Sequence, residues 1–228
     1  MTDENKHYQK DKSGQPLALE RRGQTDDGRR YSPSIGRNKD GVRETFFTHM
    51  PTNGRILEIA SGTGEHGAYI TSATSDLTWV YSDIDPVSRS SQQAWRAAVS
   101  HDRLRGPLSI DTTQLNWGEA SDVAPVDGVF CANMVHIAPF AAAQGLVAGA
   151  SRLLRDGGRL MLYGPFARNG EIAPSNARFS ADLQRRDPSW GVRDLDRQIV
   201  PLAKAAGLHL CEVVAMPANN LSVILEKA

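Results

Sequence analysis

One segment in the first third of the chain constrains the fold more than any other, because a short apolar run there leads directly into three closely spaced glycines. Residues 56–67 are Ile-Leu-Glu-Ile-Ala-Ser-Gly-Thr-Gly-Glu-His-Gly. The apolar run predicts a buried strand, and Gly62, Gly64 and Gly67 predict a tight turn into a helix. Glycines let a ligand approach the backbone closely, and the helix start offers free N–H groups. The pattern is typical of nucleotide-binding folds, but by itself it does not select the nucleotide.

The sequence around this segment alternates between strand and helix patterns. Strands are predicted at 55–60, 77–82, 108–110, 126–131 and 159–163, and helices at 37–50, 67–74, 86–99 and 140–154. Strand–helix alternation at this spacing predicts βαβ units. We therefore expect an α/β fold in which a mostly parallel sheet has helices on both faces.

The C-terminal part of the chain departs from this alternation. Residues 164–192 predict a long irregular excursion that is partly helical at 178–186, and a helix is predicted at 194–206. Two closing strands are predicted at 208–216 and 221–226. The link between them is too short for a parallel crossover, so the two strands are expected to pair antiparallel.

Composition and charge exclude several classes of protein. The chain has 228 residues, with 26 Lys and Arg against 26 Asp and Glu, which gives a formal net charge of zero. A neutral chain is not expected to bind nucleic acid, and no apolar run predicts a membrane span or a secretory signal. Cys131 and Cys211 lie in apolar runs and are predicted to be buried free thiols. A cytoplasmic location is expected, and the oligomeric state is not predicted.

The N-terminal residues differ in composition from everything that follows. Residues 1–30 are rich in polar and charged side chains and contain little that a core would bury. They are predicted to form a mobile tail or a wrapped arm. The folded domain is therefore expected to span residues 31–228.

Acidic residues at the ends of the predicted strands narrow the choice of ligand. Asp83, near the end of the second strand, can accept hydrogen bonds from ribose hydroxyls, whereas Asp85 before Pro86 is expected to cap the next helix. Glu58 lies inside the first strand, where a carboxylate is costly unless it is paired or used. A ligand that carries an ammonium group and a sulfonium would stabilise a carboxylate at this position. The Asp111-Thr112 pair either meets an adenine amino group or forms a plain turn.

With these residues in view, the chain resembles class I S-adenosylmethionine (SAM) methyltransferases. More narrowly, the sequence from about residue 31 to the C-terminus resembles the methyltransferase-like protein 26 family. The stretches that carry the resemblance are 32–40, 57–66, 82–86, 130–139, 154–158, 163–166, 174–176, 186–195 and 216–221. Gly41 stands where the family tends to have proline, which affects only the start of the first helix.

The resemblance implies a Rossmann-like sheet of seven strands with the last strand antiparallel, and a SAM site at its carboxyl edge. It places the methionine end of SAM against Ala60, Ser61 and Gly62, with Glu58 supporting the ammonium group. It further assigns the ribose to Asp83 and adenine to Ile84. The adenine edge is assigned to Asp111 and Thr112, and the methionine moiety to Asn133. Gly64 completes the predicted cofactor-binding set.

Two residues near this site are candidates for catalysis. His136 follows Asn133 by three residues at the predicted mouth of the site, and imidazole titrates near neutral pH. It is our candidate general base; the alternatives are that it caps a helix or only shapes the pocket. Tyr163, at the end of the fifth strand, is a candidate to orient the acceptor, and its alternative is a core aromatic with its hydroxyl at the rim.

A second group of polar residues is predicted to form the pocket for a small-molecule acceptor. Its members are Arg37, Asn38, Asn176, Trp190, Arg193, Asn219 and Asn220. Arg193 could clamp a carboxylate or phosphate, or it could hold the excursion through internal ion pairs. Asn219 and Asn220 could instead be turn residues that tolerate a positive φ.

The sequence therefore predicts a SAM-dependent methyltransferase that acts on a small molecule. His49, His101 and His209 lack partners at metal-ligand spacing, so no metal is expected. One alternative is an NAD(P)-dependent oxidoreductase that uses the same glycine turn, but the only Tyr-x-x-x-Lys pair, Tyr8 and Lys12, precedes the first strand. The other alternative is a non-catalytic SAM-binding module.

Overall fold

A computed structural model of the protein describes residues 22–228. Its centre is a seven-stranded sheet with strands β1 Gly54–Ile59, β2 Leu77–Ser82, β3 Leu104–Leu108, β4 Val126–Ala132, β5 Leu154–Gly164, β6 Leu208–Met216 and β7 Asn220–Lys227. The strand order is β3-β2-β1-β4-β5-β7-β6. Strand β7 pairs antiparallel with both β5 and β6, and the pairs among β1 to β5 are parallel. The predicted α/β fold, with its last strand antiparallel, is confirmed.

Helices cover both faces of the sheet. They are α1 Pro33–His49, α2 Glu65–Thr71, α3 Pro86–Ala98, α4 Ala120–Val123, α5 Phe140–Leu153, α6 Pro174–Arg186 and α7 Val200–Ala205. Two apolar clusters result, one on each side of the sheet. Leu57, Val129 and Leu146 belong to the cluster on the α5 side, and Phe46, Trp79 and Phe130 belong to the cluster on the α1 side.

Several predicted boundaries require correction. The first helix begins at Pro33 rather than residue 37, because Ser32 caps it and a proline suits the first helical position. The third strand is Leu104–Leu108 and not 108–110. Its Gly-Pro pair would be unusual in a central strand, but β3 is an edge strand, where a missing N–H is tolerated. The predicted helix at 194–206 is a π-helical turn, Leu195–Ile199, followed by α7.

The N-terminal residues of the described chain pack on α3, which contacts the edge strand β3. Gly23–Gln24 and Arg30–Tyr31 form a small antiparallel hairpin that packs on α3, where Tyr31 contacts the ring of Trp95. Residues 1–21, most of the predicted tail, lie outside the described residues. At the other edge, Cys211 on β6 is exposed, which corrects the prediction that both thiols are buried. An edge strand covers only one of its sides with a neighbour, so an apolar run there does not ensure burial.

Within residues 22–228 no helix combines the length and apolarity that crossing a membrane requires.

Candidate functional site

The glycine turn lies at the carboxyl edge of the sheet, at the centre of the predicted SAM site. Ala60, Gly62 and Gly64 have positive φ values of 57°, 57° and 90°, which fold the chain tightly between β1 and α2. The Ser61 hydroxyl donates to the Glu58 carbonyl at 3.2 Å and accepts from the Ser82 N–H at 3.1 Å. The side chain of Ser61 therefore fixes the turn to β2.

Asp83 and Asp85 lie side by side after β2 but have different roles. The Asp83 carboxylate accepts the Gly62 N–H at 2.8 Å and the Asp85 N–H at 2.9 Å. Burial raises the pKa of Asp83 to about 6, although these backbone hydrogen bonds oppose the shift. Asp85 caps α3 by accepting from the N–H of Ser88 at 2.9 Å. Asp83 therefore places a carboxylate directly beside the glycine turn, where the sequence predicts a ribose ligand.

Glu58 is enclosed beneath the turn. Its carboxylate accepts the Trp79 indole N–H at 2.8 Å, and its side chain is 2% exposed. Burial raises the pKa of Glu58 to about 8, and the Trp79 hydrogen bond opposes the shift. A cation beside this carboxylate would offset the cost of burying its charge. The predicted support of an ammonium group by Glu58 remains a prediction.

The predicted adenine side contains Ile84, Asp111 and Thr112. Asp111 lies three residues after the end of β3, and its carboxylate accepts the N–H of Thr113 at 2.9 Å and the Thr113 hydroxyl at 2.7 Å. This is the turn geometry that the sequence left as the alternative. Thr112 is buried and its carbonyl lies against Gly145 of α5, while Ile84 is half-buried at the end of β2.

Asn133 ends β4 at the same edge of the sheet. It has a φ of 63°, and its N–H donates to the Tyr163 carbonyl at 2.7 Å. Gly164, the next residue of β5, lies close to two polar atoms. A Cβ on Gly164 would be 2.7 Å from His136 Nε2 and 3.2 Å from Asn133 Oδ1. A side chain at position 164 would therefore occupy the space that these two atoms share.

His136 is fully buried rather than at the mouth of the site. Its Nδ1 accepts the Arg193 N–H at 3.2 Å, and its ring lies edge-on to Phe166 at a centroid distance of 4.6 Å. Burial and, to a smaller extent, the charge of Arg193 lower the pKa of His136 to about 3. The imidazole is consequently neutral with its proton on Nε2, and this buried N–H has no partner among the described residues. This arrangement favours a hydrogen-bond donor over the predicted general base.

Tyr163 and Asn38 meet above the sheet. Asn38 is half-buried in the second turn of α1, where its Oδ1 lies 3.0 Å from His66 Nε2, and it also hydrogen-bonds with the Tyr163 side chain. Burial raises the pKa of Tyr163, and the hydrogen bond with Asn38 and the charge of Arg37 oppose this. Burial lowers the pKa of His66 to about 4, so that His66 is neutral. Asn38 therefore joins α1 to α2 and β5, while Arg37 is exposed.

Two predicted acceptor residues are used inside the protein. The guanidinium of Arg193 donates to the carbonyls of Val135 at 2.9 Å, Ala138 at 2.8 Å and Ser189 at 2.7 Å. These bonds fix the excursion to the segment after β4, so the partners are carbonyls rather than the acidic residues that the sequence offered as the alternative. Trp190 is 3% exposed, beneath the Arg186 guanidinium. The Arg193 guanidinium is therefore occupied by carbonyls of the protein itself.

Three of the four asparagines predicted for the acceptor pocket lie together around a cavity. Asn176 Nδ2 donates to the Asn219 carbonyl at 2.9 Å, and Asn219 Nδ2 donates to the Ser175 hydroxyl at 2.9 Å. With Asn220 they line a cavity of about 440 Å³ whose other walls include Phe166, Ile172, Ala215, Met216 and Leu221. Asn219 also has a φ of 58°, so its predicted alternative as a turn residue holds as well.

Two features escaped the sequence-based reasoning. Arg22, in the segment predicted as a tail, donates to the Ser88 hydroxyl at 3.1 Å and lies beside Gly62. No local pattern distinguishes it from the other charged residues there. The second feature is the group of His209, Cys211 and Glu226, whose ligand atoms lie within 4.8 Å of one another. The spacing His-x-Cys on one predicted strand, opposite an acidic residue on its antiparallel partner, is the signal that indicates it.

Several solved structures of methyltransferases share this fold. The chain matches an O-methyltransferase family protein from Burkholderia thailandensis with a TM-score of 0.70 and 17% identity, over 86% of this chain and 56% of that one. It also matches an O-methyltransferase family 2 protein from Planctomyces limnophilus in complex with apigenin (TM-score 0.67, 18% identity, 86% and 60% covered). Human N-acetylserotonin methyltransferase in complex with SAM matches with a TM-score of 0.68 and 12% identity, over 86% and 53%.

The sheet and the helices around it thus have the class I methyltransferase fold, and the chain spans little more than half the length of these structures. A family model described as "Protein of unknown function (DUF938)" matches residues 29–227. The chain belongs to the DUF938 family.

Proposed function

We propose that this protein is a SAM-dependent methyltransferase that methylates a small-molecule acceptor. The observation that carries the proposal is the meeting of the glycine turn, Asp83 and Asn133 at the carboxyl ends of β1, β2 and β4. Open α/β sheets bind their ligands at this edge. A cytoplasmic location and kinship with the methyltransferase-like protein 26 family belong to the same proposal.

The residues around the glycine turn fit SAM in charge and hydrogen bonding. Each Asp83 oxygen accepts one backbone N–H and has capacity left for a ribose hydroxyl. Glu58 would offset the charge of the SAM ammonium group. Arg22, which lies beside Gly62, would offer a cation to the SAM carboxylate. The buried Nε2–H of His136 is a donor that lacks a partner in the described protein, which is the kind of group that a bound ligand satisfies.

When bound, SAM supplies a methyl group that its positively charged sulfur has already activated. The protein therefore has to hold the acceptor in line and keep water away rather than perform difficult proton chemistry. Gly164 leaves room between Asn133 and His136, and Phe166 closes the far side of the His136 ring. We assign His136 the role of a neutral donor that positions a bound group. Tyr163 keeps its predicted role of orienting the acceptor.

The acceptor would enter from the cavity lined by the three asparagines. Its apolar walls favour a small, largely apolar molecule, and its amide groups can orient hydroxyl or amine substituents. Arg168 also lines this cavity, but it pairs with Asp196 through two hydrogen bonds of 2.7 Å and 3.1 Å, so its charge is already balanced. Glu171 is the other charged residue in the lining, so a small acceptor with a hydroxyl or amine substituent fits this cavity.

The oxidoreductase alternative is less well supported. The parallel dinucleotide-binding sheet has the strand order 3-2-1-4-5-6, whereas here the antiparallel strand β7 lies between β5 and β6. The non-catalytic alternative also includes SAM binding, and it differs from our proposal only in that no methyl group is transferred from SAM to an acceptor.

Calorimetry and labelling test the proposal in two stages. We expect SAM and S-adenosylhomocysteine to bind with one site per chain, and NADH not to bind. Absence of heat with both nucleosides would falsify the proposal. Incubation with methyl-labelled SAM and pools of small molecules should then transfer label to an acceptor. Binding without any transfer would favour the non-catalytic module.

A further inference from the structure

We propose that His209, Cys211 and Glu226 form a Zn²⁺ site on the outer strands of the sheet. Imidazole nitrogen, thiolate sulfur and carboxylate oxygen are the three ligand types that proteins use for this ion. His209 lies directly opposite Glu226 across the β6–β7 pair. The site would replace the sequence-based expectation that the chain binds no metal.

Strand pairing brings the three ligands onto one face. The register of β6 on β7 shifts between Leu210 and Glu212, so Cys211 is the extra residue of a β-bulge. A bulge redirects the side chain that it carries. The potential ligand atoms of Cys211, His209 and Glu226 consequently lie within 4.8 Å of one another.

The distances between the ligand atoms are close to those that surround a bound ion. His209 Nε2 and Glu226 Oε1 are 3.7 Å apart, too far for a hydrogen bond between them. Ligand atoms around a tetrahedral Zn²⁺ are about 3.3–3.6 Å apart, given its bond lengths of about 2.0–2.3 Å. Rotation of the exposed His209 and Cys211 side chains, by about 1 Å at their ligand atoms, would complete the triangle. A fourth position would remain for water.

Glu226 is already oriented for this role. Its Oε2 accepts from Arg159 Nε at 2.7 Å, which leaves Oε1 directed toward His209. Such an outer partner fixes a ligand and tunes its basicity. The neighbouring Glu212 differs, because its carboxylate accepts the N–H of Val213 at 3.0 Å and it is not part of the group.

The site is independent of the proposed methyltransferase function. His209 is the second residue of β6 and Glu226 is the last but one of the antiparallel β7, so both lie at the amino edge of the sheet, opposite the glycine turn. A bound ion would join the edge strand β6 to β7. Binding would release the thiol proton of Cys211, because the thiolate is the ligand.

The test uses the full-length, reduced protein after treatment with a chelator. We expect the protein to bind one Zn²⁺ per chain in competition with a chromophoric chelator. With Co²⁺ we expect the absorption bands of a tetrahedral ion that has a thiolate ligand. Cys211→Ser and His209→Ala should each weaken Zn²⁺ binding at least about tenfold, while the matched control Glu212→Gln should leave it unchanged. No stoichiometric binding, or equal loss in Glu212→Gln, would overturn the site.

Thiol reactivity gives a second readout that locates the ion. Cys131 is 1% exposed, so a bulky disulfide reagent should modify Cys211 first. Zn²⁺ should slow this modification at least about tenfold in the wild type and in Glu212→Gln, but not in His209→Ala. Unchanged modification rates in the wild type with stoichiometric Zn²⁺ would show that the ion binds elsewhere and would overturn the proposal. Thermal unfolding of each variant checks that it is folded.

Discussion

The two sides of the carboxyl edge of this sheet present polar residues in different ways. On the glycine-turn side, at β1, β2 and β4, the polar groups are held by the strands and turns that carry them, as Asp83 is by the N–H groups of Gly62 and Asp85. On the hairpin side, at β5, β7 and α6, polar groups hold distant segments together, as Arg193 does with three carbonyls. A polar residue at a strand end remains available to a ligand more often than one in an irregular excursion, since the excursion needs such residues for its own backbone.

The largest expected effect concerns Glu58 on the glycine-turn side. Its pKa is about 8 in the folded protein against 4.5 for an ordinary glutamate, so the folded protein holds this proton more tightly than the unfolded chain does. The free energy of unfolding is therefore highest below pH 4.5 and decreases as the pH rises toward 8. Glu58→Gln should therefore be more stable than the wild type by about 3 kcal/mol at pH 7, with little difference at pH 4. Urea unfolding at both pH values measures this.

Glu44→Gln, at an exposed position on α1, is the matched control and should keep the pH dependence of the wild type, because Glu58 is still present. An equal slope of stability with pH in the wild type and Glu58→Gln would contradict the burial argument. If Glu58 supports the ammonium group, the variant should also bind SAM more weakly, so that stability is gained while affinity is lost.

The next effect separates Asp83 from Asp85. Asp83→Ala should lower SAM affinity about 100-fold, or nearly 3 kcal/mol, since charged hydrogen bonds to the ribose and the support of the turn are lost together. Asp85→Ala removes only a helix cap and should cost about 1 kcal/mol of stability with little change in affinity. Calorimetry and thermal unfolding of both variants provide the comparison. Equal losses of affinity would mean that the two carboxylates are not distinguished as the structure suggests.

On the hairpin side, Arg193→Ala should lower the free energy of unfolding by about 2 kcal/mol, because three carbonyls lose a charged donor. SAM affinity should fall by less than about tenfold, because the carbonyls of Val135 and Ala138 lie in the segment after β4 that also carries His136. Arg178→Ala, at an exposed position of α6, should be neutral. A stable Arg193→Ala protein that loses only acceptor binding would instead restore the predicted clamp.

The smallest effect tests how α6 is attached to the final hairpin. Asn176→Ala removes the 2.9 Å bond to the Asn219 carbonyl and should cost about 1 kcal/mol. Hydrogen exchange should rise in α6 and around the Pro217–Asn219 turn, whereas the glycine turn should keep its protection in the same sample. Increased exchange across the whole chain would show that Asn176 stabilises more than this one contact.

Much of the fold was predictable because periodic patterns specify strands and helices locally. Residues 77–82 were predicted as a strand with the observed bounds, and the short link after Met216 required antiparallel pairing. The third strand was misplaced because glycine and proline within Leu104–Leu108 imitate a turn. Whether such a segment joins a sheet depends on its being at the edge, which is a property of the whole sheet.

By itself, then, the sequence determined the alternation of elements, the glycine turn and the choice of acidic residues at strand ends, since each follows from neighbours along the chain. Only the tertiary structure decided that His136 is buried with an Nε2–H that no residue within 22–228 accepts, that Arg193 holds three carbonyls, and that His209, Cys211 and Glu226 share one face. The physical reason is that burial, protonation and ligand spacing depend on residues brought together from distant parts of the chain, which no local pattern records.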